Sequence, residues 1–259
     1  MKTNYIFDLF TYHPDLFKAC PYVDNAYPMA DESYLHNYPF KITYLFDLKK
    51  LPHWDTDTFD FISIPAGIPQ LSFKEKQLEY FPQEEDKAGE FDVVLNTSRT
   101  WPSRSWAPEN WQRLADTLTA KGLRVAVVGK DVVSKADHME KLCFALKGCT
   151  NLINKLSLDQ TFFTIRKSKV FVSCQNGLSV LAGATDTRIV VLDMSIEWSK
   201  RAIYRYENPH HKISYVKGKC DLYCGEANAC PLPHNNGSFK CIPEYERVAA
   251  AVSDALAAA

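Results

Sequence analysis

Four cysteines crowd the stretch "KCDLYCGEANACPLPHNNGSFKC". Cys220, Cys224, Cys230 and Cys241 are separated by three, five and ten residues. Four thiolates at such spacings are able to close a tetrahedral site around zinc or iron. The loop that carries them is rich in Pro, Asn and Gly and poor in apolar residues. Such a loop needs a staple to hold one conformation. A site closed by four thiolates leaves no open coordination position, so any metal there is structural and not catalytic. Disulfides are the alternative, and they require an oxidising compartment. His210, His211 and His234 lie nearby as substitute ligands.

A second stretch suited to chemistry is "KVFVSCQNGLSVLAGATDTRIVVLD", residues 169–193. Val170, Phe171 and Val172 read as a buried strand, and residues 178–184 repeat at a helical spacing. Between them the chain turns through Gln175, Asn176 and Gly177. A glycine-bearing turn from strand to helix offers N–H groups that favour phosphate. The competing reading is a plain tight turn.

These residues need elements to hold them. "DVVLNT" (92–97) reads as a buried strand. The loop "SRTWPSRSWA" leads to Pro108, which suits the first turn of a helix because its missing N–H has no partner there. Trp111, Leu114 and Leu118 then share one helical face, and Gly122 closes the helix as a left-handed cap. "RVAVVG" (124–129) is the next strand, and residues 130–146 read as a helix with a charged outer face. Ser157 caps another helix, with Leu158, Phe162 and Ile165 on one side. A strand at 188–192 and a final helix from Pro243 follow, the latter with Tyr245, Val248, Val252 and Leu256 inside. Alternating strands and helices imply an α/β fold with a parallel sheet. Such sheets bind ligands beyond the carboxyl ends of their strands.

The first part is less regular. "NYIFDLFT" and "FKITYLFD" read as strands, and "HPDLFKACPYVDNAYPM" as a short helix, a turn and a short strand. "DTDTFDFISIPAGI" reads as a helix that stops at Pro65 and Gly67. "LSFKEKQLEYFPQEEDKAGE" is charged and reads as a connector between two lobes.

A chain of 259 residues is long enough for one large domain or two small ones. With 46% hydrophobic and 24% charged residues it has an ordinary globular composition. A formal net charge of -1 supplies no global pull toward nucleic acid or membrane. No apolar run is long enough to span a bilayer. The N-terminal stretch lacks a signal-peptide pattern, so a cytoplasmic protein is expected. Cys20, Cys143, Cys149 and Cys174 sit in apolar surroundings and read as buried structural thiols.

"SRSWAPENWQRLADTLTAKGLRVAVVGK" and "LINKLSLDQTFFTIRKSKVFVSCQNGLSVLAGA" resemble glycosyltransferase family 9, the bacterial heptosyltransferases. The likeness runs over about residues 92–192, in the right order and spacing. The Cys-rich end resembles the metal finger of the heptosyltransferases that modify bacterial autotransporter proteins. Theirs follows a "GLSWLA" motif, similar to "GLSVLA" here. The resemblance implies a GT-B-like fold of two Rossmann-like lobes with parallel sheets, the N-terminal lobe reduced. Residues 1–86 would form the acceptor-side lobe. Residues 87–259 would form the nucleotide-sugar lobe, with the Cys-rich loop at 220–241.

The resemblance also implies roles. Sugar transfer leaves negative charge on the departing diphosphate, and cationic side chains stabilise it without a catalytic metal. Arg104 stands where the family has a phosphate-binding lysine, and Arg99 and Lys130 are further cations at strand ends. Gln175, Asn176 and Gly177 stand where the family has Asp, Thr and Gly. Gln175 supplies no charge, and Val180 replaces a histidine, so the donor is open to differ from ADP-heptose. The family's base is an aspartate in a "G-D" turn after its first strand, and this sequence reads as starting after that unit. Asp8, His13 and Asp15 are the nearest candidates for the base.

The implied activity is sugar transfer, with inversion, from a nucleotide-sugar donor to a hydroxyl. The acceptor would be a protein, a lipopolysaccharide core or another cell-surface glycan. The alternatives are a non-catalytic nucleotide-sugar-binding or scaffolding protein, and a donor-side subunit needing a partner chain. A homo-oligomer also stays open.

Overall fold

The computed structural model describes residues 8–11, 13–28, 72, 76–98, 101–134, 139–197, 212–220, 222–225, 229–235 and 238–259. Near the N-terminus, β1 (Asp8–Thr11) runs parallel to β2 (Asn25–Pro28). A 3-10 turn at Pro14–Phe17 lies on the crossover between them. This matches the expected strand, short helix, turn and short strand. The strand expected in "FKITYLFD" and the helix expected in "DTDTFDFISIPAGI" lie outside the described residues.

Apolar and β-branched runs build the larger sheet. Its first strands are β3 (Val93–Asn96) and β4 (Val125–Val128). A separate antiparallel pair follows, β5 (Val132–Ser134) with β6 (Met139–Lys141). The large sheet continues with β7 (Thr150–Asn151), β8 (Val170–Cys174), β9 (Arg188–Asp193) and β10 (Ile213–Lys217). The order is β10-β9-β8-β3-β4-β7, and every pairing is parallel. Strands β3, β4 and β8 are buried throughout, as expected where helices cover both faces.

Among the described residues the α-helices are α1 (Pro108–Ala120), α2 (Leu158–Arg166), α3 (Gly177–Gly183) and α4 (Tyr245–Ala257). Successive strand side chains point to opposite faces, and the core divides accordingly. Val93, Leu95, Val170 and Val172 pack with Trp111, Leu114, Val248 and Val252 of α1 and α4. Val94, Phe171 and Ile189 pack with Ile165 and Ala182 of α2 and α3. Pro108 starts α1, Gly122 takes φ +76 just after it, and Ser157 accepts from the Gln160 N–H at 3.1 Å to cap α2. All three behave as their residue types predict.

Two local expectations need correction. The described residues between 130 and 146 do not form the expected helix; they carry the β5–β6 pair and a loop. The Asp131 carboxylate accepts from the Cys143 N–H at 2.8 Å and from the Asn154 side chain at 2.8 Å. A helix would hold residues 131 and 143 about 18 Å apart along its axis, so this closure excludes one. Val132 and Val133 also favour strand. On α2, Leu158 is 37% exposed, and the inner face is made by Phe162 and Ile165 instead.

The connector at residues 76–91 has no regular element. Asp159, in the first turn of α2, fastens it. Its carboxylate accepts from the Tyr80 hydroxyl and from the N–H groups of Gln83 and Glu84, at 2.8 and 3.0 Å for the last two. Burial pushes this carboxyl up, but the three donors outweigh that and hold it below its usual range.

From β3 the chain steps outward to β4 and β7, then returns to β8 and steps the other way to β9 and β10. The direction reverses between β3 and β8. In a doubly wound sheet the ligand crevice lies at that reversal, beyond the carboxyl ends of the strands.

Candidate functional site

Three loops meet at the reversal. The loop after β3 contains a 3-10 turn, Pro102–Arg104. It delivers Arg104, only 9% exposed, to the turn after β8. The Arg104 guanidinium donates to the backbone carbonyl of Gln175, and the Trp101 ring centroid lies 5.2 Å from its central carbon. Ser103, buried beside it, lies 3.1 Å from the hydroxyl of Ser195, in the segment after β9. A cation is thus held at the switch point in a shielded setting, where it acts more strongly on an anion than in water.

Asn176 braces this junction. Its side-chain carbonyl accepts from the N–H groups of Leu178 and Ser179, at 2.9 and 3.4 Å, which caps α3. Its amide nitrogen donates to Asn96 at the end of β3, at 2.7 Å. Asn96 also donates to Ser98 and to the Val128 carbonyl, both at 2.9 Å. Two N–H groups that sequence reasoning offered to phosphate are therefore already bonded within the chain.

Gly177 behaves differently. Its φ is not in the left-handed region, and an added Cβ would meet nothing within 4 Å among the described residues. Neither the backbone nor the packing there demands glycine. The missing side chain leaves open space over the turn, which lets a ligand approach the backbone.

Gln175 is 6% exposed and donates its side-chain N–H to Asp193 at 2.8 Å. Asp193 ends β9, is 1% exposed, and also accepts from the Tyr223 hydroxyl at 3.0 Å. Burial pushes its carboxyl up to about 6, against the pull of Tyr223, Lys217 and Gln175, while Glu197 adds to the rise. Asp193 and Tyr223 were not singled out from the sequence. The available signal was an aspartate closing the apolar run "RIVVL".

The other expected residues are placed as follows. Lys130 is exposed just beyond β4, and Val180 is 40% exposed on α3. Arg99 lies outside the described residues. Asp8 accepts from the Asn25 side chain at 2.7 Å, and the exposed His13 donates its backbone N–H to Thr11 at 3.3 Å. Asp15 pairs with Lys18, and its carbonyl accepts from Gln83 at 3.0 Å. All three base candidates belong to the β1–β2 unit, not to the loops that carry Arg104 and Gln175.

The clustered cysteines are free thiols. The chain near Cys220 pairs with the chain near Cys241: the N–H of Gly218 donates to the Cys241 carbonyl at 3.1 Å, and that of Lys219 to the Lys240 carbonyl at 2.8 Å. The approach is so close that a Cβ on Gly218 would collide with the backbone of Lys240 and Cys241. Burial first, with charge on Cys220, Cys224 and Cys230 adding to it, pushes the Cys241 thiol up to about 11. Cys241 thus lies within electrostatic reach of the other three cysteines. Among the described residues no three His, Cys, Asp or Glu side chains stand at ligand spacing. By its chemistry a set of four thiols suits a soft or borderline cation, whose positive charge favours the thiolate form against burial and repulsion. His234 lies in the 3-10 turn Pro233–Asn235, while His210 and His211 lie outside the described residues.

The model of glycosyltransferase family 9 (heptosyltransferase) matches residues 57–192. Among solved structures, E. coli ADP-heptose LPS heptosyltransferase II aligns with a TM-score of 0.53 at 14% identity, over 97% of this chain and 89% of that one. The family 9 glycosyl transferase of Veillonella parvula gives 0.47 at 12% identity, over 66% of this chain and 47% of its own. The dodecameric iron-containing heptosyltransferase TibC, from enterotoxigenic E. coli, gives 0.49 at 16% identity, over 69% and 48%. The chain spans about half the length of these last two. The likeness to heptosyltransferase II shows the fold, which is GT-B. No curated protein sequence matches.

Proposed function

The chain belongs to glycosyltransferase family 9, the heptosyltransferases, and on that premise we propose that it transfers a sugar from a nucleotide-diphosphate donor to an acceptor hydroxyl. The donor is ADP-heptose or another nucleotide sugar, and the acceptor is a protein or a cell-surface glycan. The observation that carries this reading is the buried Arg104 guanidinium bonded to the Gln175 carbonyl at the switch point.

In the proposed reaction the acceptor oxygen attacks the anomeric carbon on the face opposite the diphosphate. The bond from that carbon to the phosphate oxygen breaks, with inversion. The acceptor proton passes to a base, and the nucleoside diphosphate leaves. Negative charge grows on the departing diphosphate. A guanidinium held in place and shielded from water stabilises that charge without reorganising. The space over Gly177 admits the diphosphate to the turn. Asn176 shapes the turn from behind, while Lys130 and Arg99 add positive charge at the rim. Asp8, His13 and Asp15 remain the candidates for the base. Residues 1–86 serve the acceptor side and residues 87–259 the donor side.

In this reading Cys220, Cys224, Cys230 and Cys241 hold one zinc or iron as a structural centre. The electrostatic influence of Cys220, Cys224 and Cys230 on Cys241 supports it, as does a donor set of four thiols on a loop with little apolar content. The metal would order the loop and take no part in bond breaking.

The test is incubation of the chain with labelled nucleotide sugars and a lysate of acceptors. The account expects label in an acceptor and one nucleoside diphosphate released per transfer. Donor binding with hydrolysis alone would favour a donor-side subunit that needs a partner. The absence of transfer, hydrolysis and binding together would contradict the reading.

A further inference from the structure

Five buried residues and the Cys-rich loop close a ring of contacts. Arg104 donates to the Gln175 carbonyl, and the Gln175 side chain donates to Asp193 at 2.8 Å. Asp193 accepts from the Tyr223 hydroxyl at 3.0 Å. Tyr223 lies between Cys220 and Cys224, and two residues on the Gly225 N–H donates to the Ser195 carbonyl at 2.8 Å. The Ser195 hydroxyl lies 3.1 Å from that of Ser103, which precedes Arg104 in the turn Pro102–Arg104. The ring thus returns to its start. Arg104 is 9% exposed, and Gln175, Asp193, Ser195 and Ser103 are more deeply buried.

The turn that carries Arg104 is held on two sides. Ser103 ties it to the segment after β9, and Arg104 ties it to the turn after β8. The Cys-rich loop grips both ends of the segment 193–195, Tyr223 at Asp193 and Gly225 at Ser195. Buried hydrogen bonds joined in one network support one another, and breaking one leaves a buried polar group unpaired. Order in the loop and order in the Arg104 turn therefore rise and fall together. A cation that must meet an anion tolerates little displacement. We propose, on the donor-site reading above, that Ser195 and Tyr223 are positioning residues through which the Cys-rich loop holds the Arg104 turn, so that anion binding at Arg104 is coupled to closure of the loop. Neither residue needs to touch the ligand. Such coupling is reciprocal. A closed loop presents Arg104 in place, and a diphosphate seated on Arg104 keeps the loop closed.

The test reads the coupling in both directions. Calorimetry with ADP, GDP and UDP first finds a diphosphate that the native chain binds. Ser195→Ala and Tyr223→Phe should each weaken it about two- to tenfold, the worth of one neutral hydrogen bond. Amide hydrogen exchange at residues 222–225 then reports opening of the loop. In the native chain a saturating diphosphate should slow that exchange about fivefold or more. Exchange at Thr150 and Asn151 of β7, the edge strand farthest from β10, should stay the same. In both variants the diphosphate, again at saturation, should lose most of its protection of the loop. A residue serving stability alone would lower the melting temperature and leave that protection intact. Should Ser195→Ala fail to fold, Tyr223→Phe carries both comparisons. Unchanged affinity in the folded variants overturns the inference, as does a native loop that the diphosphate does not protect. Protection that persists in the variants also overturns it, because the ligand would then be covering the loop directly. If no diphosphate binds the native chain, the donor-site reading falls and the coupling with it, whereas binding without protection removes the coupling alone.

Discussion

The guanidinium of Arg104 donates to the backbone carbonyl of Gln175, a residue 71 positions away in the chain. This bond joins the loop after β3 to the turn after β8. It places the cation where the sheet reverses direction, and the remaining expectations are arranged around it.

Two glycines should respond in opposite ways to the same substitution. Gly177→Ala puts its methyl into open space at the first residue of α3, so the fold should be unharmed or gain about 0.4–1 kcal/mol. Nucleotide binding should nevertheless weaken, because the methyl occupies the approach to the turn. Gly218→Ala should instead lower stability by about 1–3 kcal/mol, the cost of overpacking against backbone, and loosen the cysteine loop. Urea unfolding and nucleotide titration on both variants check this. A Gly177→Ala protein with normal nucleotide affinity would speak against the placement of the ligand.

Asp193 should leave a mark on the pH dependence of stability. Burial lifts its carboxyl from 3.8 to about 6 in the folded chain. Between those values the folded state keeps a proton that the unfolded state has released. Stability from this group therefore falls as pH rises from about 4 to 6, by roughly 3 kcal/mol, and is level above. Asp193→Asn should remove that slope. Unfolding free energies of the two proteins, measured from pH 4 to 7, should converge as pH rises if native stability starts higher. Parallel curves would refute the burial argument.

The purified chain should carry about one zinc or iron, held by the four clustered cysteines. Removing it with a chelator should lower the melting temperature, and Cys241→Ser should abolish retention of the metal. Elemental analysis with thiol counting reads the result. A metal-free protein with all four cysteines oxidised would establish disulfides in its place.

The sequence disclosed what is local. The face of Trp111, Leu114 and Leu118, the cap at Ser157 and the turn at Gly122 all follow from short-range pattern, and all three form as read. The β5–β6 pair was hidden because Asp131 closes that segment through Cys143 and Asn154, and no periodicity records such a bond. β7 has only two residues, too few for any alternation to show. Arg104 and the Gln175 turn could be named from the family resemblance, yet the bond between them belongs to the folded chain. Asp193 and Tyr223 lie 30 positions apart, and only the docking of the Cys-rich loop against the end of β9 reveals their pairing.

The most direct test of the central claim is titration of the chain and its Arg104→Ala variant with nucleoside diphosphates. The account predicts that one of ADP, GDP or UDP binds the native chain. It further predicts that the variant binds that diphosphate about ten- to a hundredfold more weakly, the loss of a charge-assisted contact of about 1.5–3 kcal/mol. Equal affinity in the two proteins, or no binding of any diphosphate to the native chain, would contradict it.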